Sequence, residues 1–156
     1  GKLQAFTETI VADGVPAAVH AHAEEPPPSR LVAQREWIDQ CFAGETITDI
    51  VVALRGHDDG LAHDAADLIS TRSPVALAVT LASVRRATGY TTLEEALVTE
   101  YRVSCAAVRS HDLVEGIRAQ VVDKDRNPKW SPASLAAVTD EDVRAYFQPG
   151  NPDLTF

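Results

Sequence analysis

The 156-residue chain carries 23 Asp and Glu against 14 Lys and Arg, a formal net charge of −9. So acidic a surface repels phosphate backbones, which argues against a nucleic-acid partner. No apolar run approaches the roughly 20 residues of a membrane-crossing helix, and no charged segment followed by an apolar one marks a leader, so no membrane partner is expected.

Apolar residues recur at helical spacing from end to end, and clean apolar–polar alternation is nearly missing. The pattern predicts an all-α chain of about nine helices. Leu3, Phe6, Ile10 and Val11 form a first stripe that Gly14 stops, and a short alanine-rich piece follows over residues 16–23. Pro26, Pro27 and Pro28 enforce an extended linker, because proline blocks helix continuation and restricts its predecessor. Residues 1–28 therefore read as a connecting helix and a Pro-rich linker.

Ser29 is a candidate cap for a helix through Phe42, with Leu31, Ile38, Cys41 and Phe42 facing inward. Thr46 with Asp49 resembles a capping box for a helix that buries Ile47, Ile50, Val51 and Leu54 and stops at Gly56. A further helix runs from Leu61 to about Thr71. Ser73 followed by Pro74 is a clear start, since proline in the first turn has no hydrogen bond to lose. From Val75 to Val84 only Thr80 and Ser83 are polar, so this helix should be covered on several sides. Thr92 and Glu95 open a helix to about Arg109 whose stripe is Leu93, Ala96, Leu97, Tyr101, Cys105 and Val108. Asp112 with Glu115 is read as the start of the next helix and Ser131–Pro132 as the start of another. Thr139 with Asp142 caps the last helix, and residues 149–156 are expected as a loose tail. The helices at 3–11 and 75–84 carry more apolar surface than their neighbours can cover, which hints at a missing layer.

The chemistry-bearing residue types do not assemble into a complete catalytic site. His57, Asp58, Asp59, His63 and Asp64 lie within eight residues, but the two histidines are six positions apart with Gly60 between them. A solvated acidic helix start explains them better than a metal site. His20 and His22 diverge on a short helix and read as exposed polar positions. His111 beside Asp112 could act as an acid–base pair, although a capping role for Asp112 is the simpler reading. Glycines are scattered singly, so no phosphate cradle is available. Cys41 and Cys105 lie in helical apolar settings and read as reduced thiols, since no Cys-x-x-Cys pair occurs. Catalytic residues and metal ligands are accordingly expected to be absent. The chain contains no methionine, so it is expected to be a processed product or a fragment of a longer protein.

Three stretches carry a resemblance. "SPVALAVTL" (73–81), "TLEEALVTEYRVSCAAVRSHDLVEGIRAQVVDKDRNPKW" (92–130) and "VTDEDVRAYF" (138–147) resemble, in that order, the C-terminal portion of the crotonase superfamily. The long close from Asp123 to Trp130 is most similar to the 3-hydroxyisobutyryl-CoA hydrolase branch. So is "REWIDQCFAGETITDIVVALRG" (35–56), which looks like a helical insertion within 29–72 that plain hydratases lack.

The resemblance implies that residues 73–148 are the C-terminal helical region of a crotonase-type fold without its ββα spiral core. In that family the catalytic groups, including the two backbone N–H donors of the oxyanion hole, belong to the N-terminal half. None can be carried onto this chain, which is expected to be inactive alone. The implied function is to cover the active site, or to mediate subunit contact, in an enzyme that hydrolyses a short branched hydroxyacyl-CoA in valine breakdown. An enoyl-CoA hydratase/isomerase is the alternative. The implied substrate is acyl-CoA, with no other cofactor, and the implied partners are the missing N-terminal core and a second copy through the apolar helix faces. By position Lys124 is the implied coenzyme A contact, although Gln120 or Val121 replaces the family's usual aromatic before it. Asp123 to Arg126 otherwise read as a self-paired loop and Trp130 as a packing anchor. A stand-alone helical interaction module is the reading from another class. The Arg-rich, Ala-rich composition points to a GC-rich bacterial source and a cytoplasmic location.

Overall fold

The computed structural model describes residues 1–150 and 152–156. Among them are ten α-helices, one π-helical turn, one 3-10 turn and no strand. The chain divides into two compact units, Gly1–Arg35 and Glu36–Phe156.

The first unit holds α1 (Lys2–Asp13), α2 (Val15–His22) and α3 (Arg30–Ala33). Gly14 joins α1 to α2 at φ 86°, a conformation that glycine adopts without penalty. The two helices fold back on each other and bury Ala18. The Phe6 ring meets His22 edge-on at 5.9 Å, and Thr9 Oγ1 lies 2.8 Å from His22 Nε2. His22 makes both contacts while remaining exposed, as His20 is. The three prolines lie outside any helix, as their backbone restriction requires.

Ser29 does cap a helix, accepting from the Val32 N–H, but the single helix expected from Ser29 to Phe42 is broken by a turn at Gln34. Only its second part, α4 (Arg35–Cys41), is claimed by a core. Trp37 and Cys41 are buried, while Leu31 and Val32 in α3 remain about two-thirds exposed. Periodicity ran through the break; tertiary packing did not.

In the second unit Trp37 and Cys41 pack with Ile50 and Leu54 of α5 (Ile47–Gly56) and with Ala62 and Ala66 of α6 (Gly60–Ser70). Thr46 and Asp49 form the expected reciprocal capping box. A Cβ on Gly44 would lie 2.9 Å from Asp49 Cβ, so glycine lets this loop lie against the start of α5. Gly56, read as the stop, is the last helical residue, and Asp59 caps α6 through the Leu61 N–H at 2.8 Å.

A second core joins Val75 and Val79 of α7 (Pro74–Ala87) to Phe147, beyond α10 (Asp140–Ala145). The Arg86 guanidinium lies over the Phe147 ring, 3.7 Å from its centre, a cation–π contact. Arg85 donates to the carbonyls of Gly44 and Glu45 and so ties α7 to the loop before α5. Ser73 caps α7 as predicted, and Thr139 with Asp142 boxes α10.

The 17-residue α8 (Leu93–Arg109) has its Thr92–Glu95 capping box, yet none of its residues is fully buried. Leu93 and Val108, placed on its inward stripe, are 69% and 67% exposed. Residues 149–156, expected to be loose, are tied back to α8 within their described part. Arg102 holds the Asp153 carboxylate in a bidentate pair, and the Tyr101 hydroxyl donates to the Pro152 carbonyl at 3.3 Å. No helix starts at Ser131–Pro132: the Ser131 N–H is given to Asp112, and the next helical residues are the short turn Leu135–Ala137.

Candidate functional site

The segment from Ser110 to Pro132 gathers the polar residues that the composition makes conspicuous. Ser110 Oγ caps α9 (His111–Ile117) by accepting from the Leu113 N–H at 3.2 Å. Asp112 is therefore not the cap. It is 8% exposed and its carboxylate collects donors from three places. The Ser73 hydroxyl donates to Oδ2 at 2.5 Å, the Ser131 N–H donates to Oδ1 at 2.9 Å, and His111 Nδ1 lies 3.0 Å from Oδ1. A buried carboxylate requires such partners. This one fastens the start of α7, the start of α9 and the chain after Trp130 to a single point. The His111–Asp112 pair read from the sequence is present, but its carboxylate is committed to holding the fold.

Arg118 opens a π-helical turn (Arg118–Val122) and is a second hub. It grips Glu115 through Nε and Nη2, both at 2.8 Å. Its Nη1 reaches Asp123 at 2.6 Å and Asp125 at 2.7 Å, and its Nη2 reaches the Asn127 carbonyl at 3.3 Å. Glu115 also accepts the Lys129 N–H at 2.6 Å. The expectation of a self-paired loop at 123–126 is corrected: both aspartates turn back to Arg118. That guanidinium, helped by the Lys129 N–H, lowers the Glu115 carboxyl from 4.5 to about 2. Asp125 is shifted down by Arg118 and by the Asn127 N–H, and Arg118 is shifted up by its carboxylates. Lys124 and Arg126 adopt φ 56° and 53°, a left-handed conformation costing about 1–2 kcal/mol at a non-glycine residue. The hub holds the loop there. Lys124 is exposed within it.

Trp130 closes the segment as an anchor. Its indole N–H donates to the Thr71 carbonyl at 3.1 Å, and its ring lies against Gly116, where a Cβ would come within 3.4 Å of Cη2. Beside it runs a groove of about 640 Å³. Ala76, Leu113, Ile117, Val121, Trp130 and Tyr146 supply its apolar wall, and Arg72, Ser73, Ser110, Gln120 and Arg126 its polar edge. Asp112, the buried carboxylate in its lining, is engaged by Ser73, Ser131 and His111.

The other sequence candidates resolve locally. His57 Nδ1 accepts the Asp59 N–H at 3.1 Å, and His63 Nε2 lies 2.6 Å from the His57 carbonyl. Among the described residues no three His, Cys, Asp or Glu side chains gather where a metal ion could bind. Cys41 and Cys105 are unpaired thiols. Sequence reasoning missed Arg118 as a hub and missed the bond from Ser73 to Asp112. The Arg118 contacts had a legible signal, an Arg three residues after a Glu on a helix. A contact across 39 residues had none.

Residues 2–147 match the family model described as enoyl-CoA hydratase/isomerase. The chain belongs to that family, the crotonase superfamily of the motifs above. The mouse mitochondrial 3-hydroxyisobutyryl-CoA hydrolase is 36% identical over 92% of the chain, and the human protein of that name is 39% identical over 76%. The match takes in 38% and 31% of those proteins, so the chain spans about a third of their length. Two solved crotonase-type structures match almost the whole chain. A carnitinyl-CoA dehydratase from Mycobacterium thermoresistibile is 60% identical with a TM-score of 0.90, over 99% of this chain and 44% of that one. An enoyl-CoA hydratase from Rhodobacter sphaeroides is 36% identical with a TM-score of 0.76, over 96% of this chain and 45% of that one. The all-helical reading agrees with the structure, and these matches place the helices within a crotonase-type fold.

Proposed function

We propose that this chain is the C-terminal helical part of an acyl-CoA enzyme, whose catalytic groups belong to the rest of its fold. The observation that carries the reading is the unbroken family match over 2–147 with a partial span of every relative compared. The helical part supplies a wall and flank. Asp112 and Arg118 hold α9 and the following loop rigid, and Lys124 stands on that loop within reach of a coenzyme A phosphate in the assembled enzyme. The preferred chemistry is hydrolysis of a short 3-hydroxyacyl-CoA thioester of the kind met in valine breakdown. Identity to the hydrolases of mouse and human, and the long loop from Asp123 to Trp130, favour it.

A second reading is addition or removal of water at an acyl-CoA double bond. The 60% identity to the carnitinyl-CoA dehydratase of Mycobacterium thermoresistibile favours that one. The two differ in product. The chain joined to a crotonase N-terminal half should release free coenzyme A thiol from 3-hydroxyisobutyryl-CoA if it is a hydrolase. If thiol stays constant while an enoyl-CoA is consumed, the hydratase or dehydratase reading replaces the preferred one.

A further inference from the structure

The stretch Asp123-Lys124-Asp125-Arg126 carries no net charge, yet folding separates its signs. Asp123 and Asp125 both accept from Arg118 Nη1, at 2.6 and 2.7 Å, and Glu115 takes the other edge of the same guanidinium. Backbone bonds fix the separation. The Asp123 N–H donates to the Arg118 carbonyl at 2.8 Å, the Arg126 N–H to the Ala119 carbonyl at 3.0 Å, and the Asn127 N–H to Asp125 Oδ1 at 2.8 Å. Between these ties Lys124 and Arg126 stand exposed at φ 56° and 53°. Among the described residues neither enters an ion pair. Lys129 differs: its Nζ donates to Asn127 Oδ1 at 3.0 Å, and its N–H is held by Glu115. The Arg118 side chain is only 31% exposed and is fully engaged beneath the loop, so it acts on its surroundings through the loop.

We propose that Arg118 is a positioning residue for the acyl-CoA substrate: it draws Glu115, Asp123 and Asp125 onto itself and so leaves Lys124 free, and held outward, for a phosphate of coenzyme A. The inference rests on the acyl-CoA reading and adds to it the residue through which the lysine acts. Unpaired, the aspartates on either side of Lys124 would compete for its ammonium and repel a phosphate. Only a guanidinium, with five donors in one plane, can meet three carboxylates and a carbonyl at once. The same grip keeps two non-glycine residues in the left-handed conformation, which a loop released from Arg118 would abandon.

Two substrates of the joined enzyme test this: an acyl-CoA and the matching acyl-pantetheine, which carries the same thioester without any phosphate. R118Q should raise KM for the acyl-CoA about tenfold with kcat within about twofold. KM for the pantetheine ester should stay the same, whereas general damage to the fold would move both. K124Q, at an exposed side chain without partners, should give the same selective rise. R118Q/K124Q should be no worse than K124Q alone, since both remove one contact. R118K keeps the charge without the fork and should fall between wild type and R118Q; it stands in for R118Q if that variant melts below the assay temperature. In the 156-residue chain by itself, trypsin should cut after Lys124 faster in R118Q than in the wild type, because the loop is released. Equal losses on the two esters, multiplying effects of R118Q and K124Q, or unaltered cleavage would overturn the proposal and leave the acyl-CoA reading standing. A joined enzyme that turns over neither ester would end that reading and this inference with it.

Discussion

Arg118 offers five N–H donors in one plane, and in this chain Glu115, Asp123, Asp125 and Asn127 meet them. The arrangement makes acid the natural perturbant. Glu115 falls from 4.5 to about 2 in the folded chain. A carboxyl depressed by folding stabilises the native state above its unfolded value, and that contribution disappears as pH falls through the folded one. Stability of the second unit should therefore drop between about pH 4.5 and 2, and Asp125 and Asp153 push in the same direction. Urea unfolding across that window should show the loss, with a shallower slope in E115Q; an identical slope would remove Glu115 from the account. Asp112 makes a separate prediction. D112A leaves the Ser73 hydroxyl and the Ser131 N–H without their acceptor, at about 1–3 kcal/mol for the buried Ser73 hydroxyl and less for the more exposed Ser131 N–H. D112A should lower the urea midpoint accordingly, while H111A, at a ring mostly in solvent, should leave it nearly unchanged.

At the scale of the element, reciprocal capping boxes open three of the helices. Thr92 Oγ1 accepts from the Glu95 N–H, and the Thr92 N–H donates to the Glu95 carboxylate. T92A should cost about 1 kcal/mol, read as loss of helical signal at lower temperature. L54A, in a helix whose Leu54 is fully buried, should cost about 2–5 kcal/mol, because the core around it can only partly collapse. The capping boxes at Thr46, Thr92 and Thr139, the Ser73–Pro74 start and the stripe of α5 were all legible in the sequence, since each is a local rule written within one helix or its cap. The break at Gln34 was not. Helical period continues through it, and only the division of the two units leaves α3 without a core. The role of Asp112 was misread for a related reason: an aspartate in a first turn looks like a cap wherever it occurs, and only the approach of Ser73 and Ser131 shows that it is a tie. The groove was invisible in the sequence because Arg72, Ser73 and Ala76 on one side and Leu113 to Trp130 on the other are joined only by folding.

For the whole molecule, the family explains a surface that would be anomalous on a free-standing protein. Leu93, Val108, Val114, Val121 and Val122 are each more than 60% exposed, although contiguous apolar surface is normally covered. The matched relatives are longer, the chain spanning 31–45% of them, and on the proposed reading the rest of a crotonase-type fold covers this surface. On the proposed reading, catalysis belongs to the rest of that fold and these helices complete it. The most direct test mixes this 156-residue chain with the complementary N-terminal half of its Mycobacterium thermoresistibile relative and follows turnover of acyl-CoA substrates against chain concentration. Each half should be silent alone, and activity should rise saturably as the two combine. Turnover by this chain by itself would contradict the claim.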